Sequence, residues 1–330
     1  MALAVRRKHA PPEGDGAGVA LILDDFPVAG ESIEYELGRI AAEETDLPPG
    51  IFQVVVSNDN DVASVLTSDP RVDMVTFTGS TAVGRKILAA AAPTVKKTVM
   101  ELGGKSTHIV LDDADLAEVL PLAAGGVCTM SGQGCTLATR ILLPRAKMAD
   151  GLAIMRATME HFPYGDPWDM KNYSGPSISD AQRAKVLGLI DGAVAAGATL
   201  ITGGGRPAHL PTGYYIEPTL LSDVDPRSAI GQEETFGPVV TVTPYDTEEE
   251  AVAIANDTIY GLAGQVSSGD DDHALAVALK INTGTIGANV GGTFSLTSPL
   301  GGVRQSGLGR RYGDAGFEEY LEVKAIGRPA

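Results

Sequence analysis

Apolar residues recur with two different periods along this chain, and the two periods alternate. From Ser32 onward Ile33, Leu37, Ile40 and Ala41 share a helical face, LPPG (Leu47–Gly50) closes that segment, and IFQVVV (Ile51–Val56) reads as a strand. A short helix over Asp61–Thr67 and the strand MVTFTG (Met74–Gly79) follow. GSTAVGRKILAAAA (Gly79–Ala92) then predicts a glycine-initiated helix with Val83, Ile87 and Ala91 on one face, and VKKTVMEL (Val95–Leu102) a further strand. Strands alternating with helices at this interval predict a doubly wound, parallel α/β sheet.

The same rhythm continues beyond Gly103-Gly104, which reads as a domain junction. Ser179 and Gln182 form a capping-box signature ahead of a helix whose Val186, Leu189, Ile190 and Ala193 share a face; Gly197 stops it before TLIT (Thr199–Thr202). Thr247 and Glu250 repeat the box before AVAIAN (Ala251–Asn256). No fixed-period repeat suggests a solenoid. The first 30 residues fit this pattern least: PPEGDGAG (Pro11–Gly18) reads as a loop and VALILDD (Val19–Asp25) as a lone buried strand. Near the other end, EEYLEVKAI (Glu318–Ile326) reads as an exposed strand able to pair with another subunit.

At 330 residues with 44% hydrophobic composition the chain has room for two domains and an ordinary core. Its 25 basic against 42 acidic residues, a net charge of -17, argue against nucleic acid or an anionic membrane as partner. Arg6-Arg7-Lys8 is the local exception and reads as a solvated tail. No apolar run approaches the roughly 18 residues a membrane span needs, which points to the cytoplasm. Two cysteines, Cys128 and Cys135, make neither a disulfide framework nor a zinc spacing.

Of the two, Cys135 has the setting of a reactive thiol, since Gly132-Gln133-Gly134 permits close backbone approach and leaves the Cys135 N–H available to an oxyanion. Cys128, on an Ala/Gly-rich segment, reads as a small buried hydrophobe. Glu101, in VMELGGKS (Val99–Ser106), is a carboxylate suited to activating a water that opens a thioester. Gly79 to Gly84 follows a strand and opens a helix, the context in which backbone N–H groups hold a phosphate. Arg85 and Lys86 follow in place of a P-loop's Lys-Ser/Thr, which disfavours nucleotide hydrolysis. His9, His108, His161, His209 and His273 have no catalytic-looking context, and His108, within THIVL (Thr107–Leu111), reads as structural. The aspartates at 112, 113 and 115 and at 270, 271 and 272 precede helices and read as caps, so no metal is assigned.

Together the segments resemble the aldehyde dehydrogenase family: FTGSTAVGRKI (Phe77–Ile87), ELGGKS (Glu101–Ser106), GQGC (Gly132–Cys135), EETFGPVV (Glu233–Val240), ANDTIYGL (Ala255–Leu262), GTIGAN (Gly284–Asn289) and PLGGVRQSGLGRRYG (Pro299–Gly313). The resemblance implies a partial Rossmann-type cofactor domain over residues 1–103, a catalytic α/β domain over 104–312 and a C-terminal oligomerisation strand over 313–330. It implies Cys135 as nucleophile and Glu101 as general base. Gly79, Ser80, Thr81, Gly84 and Leu102 would lie along NAD or NADP, Glu234 would hold the nicotinamide ribose hydroxyls, and Phe236 would pack near the nicotinamide. The implied reaction oxidises a small-molecule aldehyde to a carboxylic acid through a thiohemiacetal and a thioester, in a homodimer or homotetramer.

The family's longer N-terminal part, with an oxyanion-hole asparagine and an adenosine-ribose lysine, has no counterpart here: no asparagine precedes Asn58, and the lysine's place falls near Asp25. Weak NAD(P) affinity and low or absent turnover are therefore expected. Gly287 and Leu300 stand where the family has bulkier aromatics, which favours a bulky aldehyde. Two other readings remain open, an inactive remnant or partner subunit and a cofactor-free thiol esterase using Cys135 and Glu101.

Overall fold

A computed structural model of the chain describes residues 2–5, 19–24, 33–48, 50–57, 59–290 and 295–329. The basic run Arg6–Lys8, the loop expected over Pro11–Gly18, Asp25 and Asn58 lie outside these residues. The chain divides into two compact units: Met1–Leu102 with Leu296–Gly301 and Ser306–Ala330, and Gly103–Ser295 with Gly302–Gln305.

The first unit begins with β1 (Ala2–Val5), β2 (Val19–Asp24), α1 (Ile33–Glu43), β3 (Phe52–Ser57), α2 (Asn60–Ser68), β4 (Met74–Thr78), α3 (Thr81–Ala91) and β5 (Lys97–Glu101). β4 and β5 run parallel with Thr78 opposite Glu101, and β2 and β3 run parallel as well. β1 lies between β2 and β4, antiparallel to both, so the sheet is mixed and β2 is not a lone strand. The αβ rhythm sets direction only for strands joined through crossover helices, and it leaves residues 2–5 unconstrained. Val75, Phe77, Ile87, Met100 and Leu102 form a small core where α3 packs on β4 and β5.

The second unit comprises β6 (Thr107–Val110), α4 (Leu116–Cys128), β7 (Arg140–Pro144), α5 (Met148–Glu160), α6 (Asp180–Ala195), β8 (Thr199–Thr202), β9 (Thr219–Ser222), α7 (Ala229–Gln232), β10 (Val239–Tyr245), α8 (Glu248–Asn256), β11 (Ala263–Ser267), α9 (Asp271–Ala278) and β12 (Thr285–Ala288). Its seven strands lie in the order β12-β11-β6-β7-β10-β9-β8, parallel throughout except for β8. Alternation along β7 shows both faces covered. Ile141 and Leu143 pack with Leu120, Ala124 and Met155 of α4 and α5, while Leu142 packs with Ala251 and Val277 of α8 and α9.

The chain then contributes β13 (Gly307–Leu308) and α10 (Gly313–Glu318) to the first unit. β13 pairs antiparallel with β5, Gly307 opposite Glu101, and the Leu102 N–H donates to the Ser306 carbonyl at 2.9 Å. Leu296–Gly301 and Ser306–Ala330 are grouped with the first unit, whereas the expected boundary lies at residue 312. Within this chain α10 ends at Glu318 and residues 321–329 carry no regular structure; the strand expected over Glu318–Ile326 is one that pairs with another subunit. A strand needs a neighbour for its amides, and no described segment supplies one there. No helix among the described residues is long and apolar enough to cross a membrane.

Candidate active site

In the second unit the thiol-bearing loop is shaped by an unusual backbone. After α4, Met130, Ser131 and Gly132 are left-handed in succession, with φ of 49°, 57° and 68°. Such a run needs external anchors. The Ser131 N–H donates to Ser174 Oγ at 2.9 Å, its hydroxyl donates to the Gly175 carbonyl at 2.6 Å, and Gln133 Oε1 accepts from the Ile178 N–H at 2.9 Å. The bend separates the two cysteines. Cys128 is fully buried, with its thiol pushed up to about 12 by desolvation, whereas Cys135 sits in a turn and is partly exposed.

Gly103 and Gly104 pack closely between Cys135 and Glu234. A Cβ on Gly104 would meet the Cys135 carbonyl oxygen at 2.7 Å, and one on Gly103 would meet Glu234 Oε2 at 2.5 Å. The Gly104 N–H donates to Glu234 Oε1 at 3.0 Å. Burial raises the Glu234 carboxyl, and the Gly104 bond opposes that shift. Phe236, partly exposed, takes φ of 54°. The Glu234 loop is held from a second side as well. Lys185 Nζ donates to the Glu234 carbonyl at 2.8 Å, and Gln182 Nε2 donates to the Thr235 and Phe236 carbonyls at 3.1 and 2.8 Å.

Gln182 therefore does only half of what a capping box asks. Its N–H donates to Ser179 Oγ at 3.2 Å, but its side chain turns to the Glu234 loop. Sequence reading missed this role, and missed Lys185 and the buried Lys105 and Arg140. Lys105 lies inside the ELGGKS segment, where a lysine two residues ahead of the apolar run THIVL was the available signal.

In the first unit Ser80 caps α3 by accepting from the Val83 N–H at 3.3 Å, Thr81 opens the helix, and Gly84 lies directly over the Leu102 side chain. The Gly79 N–H donates to the Glu101 carbonyl at 3.1 Å. Gly79, Ser80, Thr81, Gly84, Glu101 and Leu102 are thus neighbours in one unit, while Cys135, Glu234 and Phe236 are neighbours in the other. Glu101 is 4% exposed, and among the described residues its Oε1 has no hydrogen-bond partner. Burial drives its carboxyl up to about 7, against the pull of Arg311 and Arg310. A carboxyl titrating near neutrality suits a general base.

Among the histidines His9 lies outside the described residues, and of the six aspartates expected as caps two are N-caps. His108 is buried in β6 with Nε2 2.8 Å from Ser267 Oγ and is lowered to about 4 by burial. Asp115 and Asp270 cap α4 and α9. Among the described residues no cluster of three or more His, Cys, Asp or Glu could hold a metal ion.

A family model described as "Aldehyde dehydrogenase family" matches residues 32–326. The chain is 42% identical over 311 residues to 3-succinoylsemialdehyde-pyridine dehydrogenase of a Pseudomonas species, covering 94% of this chain and 65% of that protein. It is 38% identical over 310 residues to the chloroplastic betaine aldehyde dehydrogenase of Atriplex hortensis, covering 94% and 61%. Among solved structures, Mycobacterium tuberculosis aldehyde dehydrogenase complexed with NAD+ superimposes with a TM-score of 0.83 at 44% identity, covering 86% of this chain and 58% of that one. A mutant of aldehyde dehydrogenase C from Pseudomonas syringae, complexed with NAD+ and octanal, gives 0.85 at 40% identity, covering 88% and 60%. The chain spans about three fifths of the length of the relatives it matches.

Proposed function

The chain belongs to the aldehyde dehydrogenase family, and from that premise we propose that it oxidises an aldehyde to a carboxylic acid with NAD(P)+, using Cys135 as nucleophile. The observation that carries the reading is the second unit's cluster, in which Gly103-Gly104 packs against both the Cys135 main chain and the Glu234 carboxylate beside a partly exposed thiol. The residues present fit the cofactor. A partly buried carboxylate oriented by a backbone N–H matches a ribose diol, and the capped start of α3 offers backbone N–H groups to a phosphate. When bound, NAD(P)+ supplies the hydride acceptor.

In this reading the Cys135 thiolate adds to the aldehyde carbon. After oxidation, the acyl thioester is opened by water whose proton passes to Glu101, releasing the acid and the thiolate. Glu234 holds the nicotinamide ribose, Phe236 packs by the nicotinamide, and Gly79, Ser80, Thr81, Gly84 and Leu102 line the dinucleotide. The first unit carries most of the dinucleotide-lining residues together with Glu101, and the second carries the nucleophile with Glu234 and Phe236. Gly287 and Leu300 favour a bulky aldehyde. The exposed apolar residues Phe317, Leu321, Val323 and Ile326 support assembly into a homodimer or homotetramer. Two free cysteines, one of them the proposed nucleophile, suit a reducing compartment such as the cytoplasm.

The test is aldehyde-dependent NADH or NADPH formation by the purified chain, with Cys135→Ala as control. Formation that vanishes in the variant supports the reading. Ester hydrolysis through Cys135 without any nucleotide, and no nucleotide reduction with any aldehyde, would replace it by the thiol esterase.

A further inference from the structure

Lys105 is a buried titratable residue in the second unit that the proposed chemistry leaves without a task. It is 3% exposed, and its Nζ donates to Thr235 Oγ1 at 3.0 Å, Thr235 being 2% exposed itself. One residue earlier, the Gly104 N–H donates to Glu234 Oε1. Two successive residues of one segment thus hold two successive residues of the other. Both ends are anchored independently: the Lys105 carbonyl accepts from Arg140 Nε at 3.0 Å, and the Thr235 carbonyl accepts from Gln182 Nε2 at 3.1 Å. A bond between side chains whose backbones are both fixed transmits position, because neither end can drift.

Packing alone does not explain a lysine here. Withdrawing an amine from water is costly, and a methionine would fill the space without that cost. Burial and the nearby Arg140 guanidinium bring the amine down to about 7; Lys185 pushes the same way, while Glu234 and Glu233 oppose. At neutral pH the group can therefore hold its bond without carrying a full buried charge.

We infer that Lys105 is a positioning residue for Glu234, tying the Glu233–Phe236 loop to the Gly103-Gly104 turn through Thr235 so that the carboxylate meets the cofactor ribose in one orientation. The inference rests on the reading that Glu234 holds that ribose, and the experiment separates the two. NAD+ binding is measured by calorimetry on the full chain and on Thr235→Val, Thr235→Ser, Lys105→Met and Glu234→Gln, with melting temperatures alongside. Losing one buried hydrogen bond predicts NAD+ affinity about five-fold weaker in Thr235→Val and in Lys105→Met, restored in Thr235→Ser, with Glu234→Gln weaker by about ten-fold or more. If Glu234→Gln weakens binding while Thr235→Val and Lys105→Met bind as wild type, the positioning role falls and the ribose reading stands. If Lys105→Met alone weakens binding, the route through Thr235 falls. Unchanged binding in Glu234→Gln, or no binding by the wild-type chain, overturns both.

Discussion

A Cβ placed on Gly132 would lie 2.0 Å from the carbonyl carbon and oxygen of Gly237, so the thiol loop and the Glu234–Phe236 loop touch backbone to backbone. The same residue has φ of 68°, which a side chain resists. Neither neighbouring atom is a side chain that could swing away. Gly132→Ala is therefore expected to cost on the order of 3 kcal/mol or more. Calorimetric melting should fall by several degrees; a variant melting with the wild type would show that the contact is looser than the geometry describes.

The two cysteines should be chemically distinct. Cys128 is fully buried with its thiol raised to about 12, while Cys135 is partly exposed. Native protein at pH 8 should take up one equivalent of a thiol reagent, at Cys135, and two after unfolding in guanidinium. Rapid labelling of native Cys135→Ser would contradict this.

Glu101 predicts two pH dependences. Its folded carboxyl titrates near 7 against an ordinary 4.5, so the folded state prefers it protonated. The sign follows: no penalty exists below about pH 4.5, and a destabilisation grows as pH rises to about 7 and then stays constant, reaching on the order of 3 kcal/mol. Glu101→Gln should therefore gain in melting temperature relative to wild type as pH rises from 4.5 to 8, with the difference flat above that. A constant difference across the range would contradict a raised carboxyl. As the proposed base, Glu101 works deprotonated, so thioester hydrolysis should rise through about pH 7 in wild type and lose that rise in the variant.

Local signals carried much of the fold. The helix beginning after Ser179 and stopping at Gly197 is α6, because a cap and a left-handed glycine act over three or four residues. The glycines of GQGC announced close approach, though not to which backbone, while those of ELGGKS read only as a junction. What stayed hidden depends on partners distant in sequence. Nothing near Gly307 says that it will pair with Glu101, and nothing near Ser179 says that the Gln182 amide will leave its cap for the Phe236 carbonyl. Lys105 was hidden for the same reason, since its partner is 130 residues away. The tail after Glu318 depends on a partner too: its alternating apolar residues fit a strand for another subunit, and no described neighbour within the chain supplies its hydrogen bonds.

Arg140 gives the last prediction, because its guanidinium serves three carbonyls at once. It is 4% exposed and donates to the Lys105 carbonyl at 3.0 Å, the Ile254 carbonyl at 3.2 Å and the Ala255 carbonyl at 3.0 Å. The last two belong to the final turn of α8, whose carbonyls lack helical partners and carry negative partial charge. Burial lowers the group only to about 10, so it stays charged at neutral pH. Arg140→Met strands three carbonyls and should cost several kcal/mol, read as a large fall in melting temperature. Arg140→Lys keeps the charge but replaces a planar fork with a single point donor, so it should recover only part of the loss. Full recovery by lysine would mean that charge at the end of α8, rather than the span of the fork, is what holds the segment after Gly104 in place.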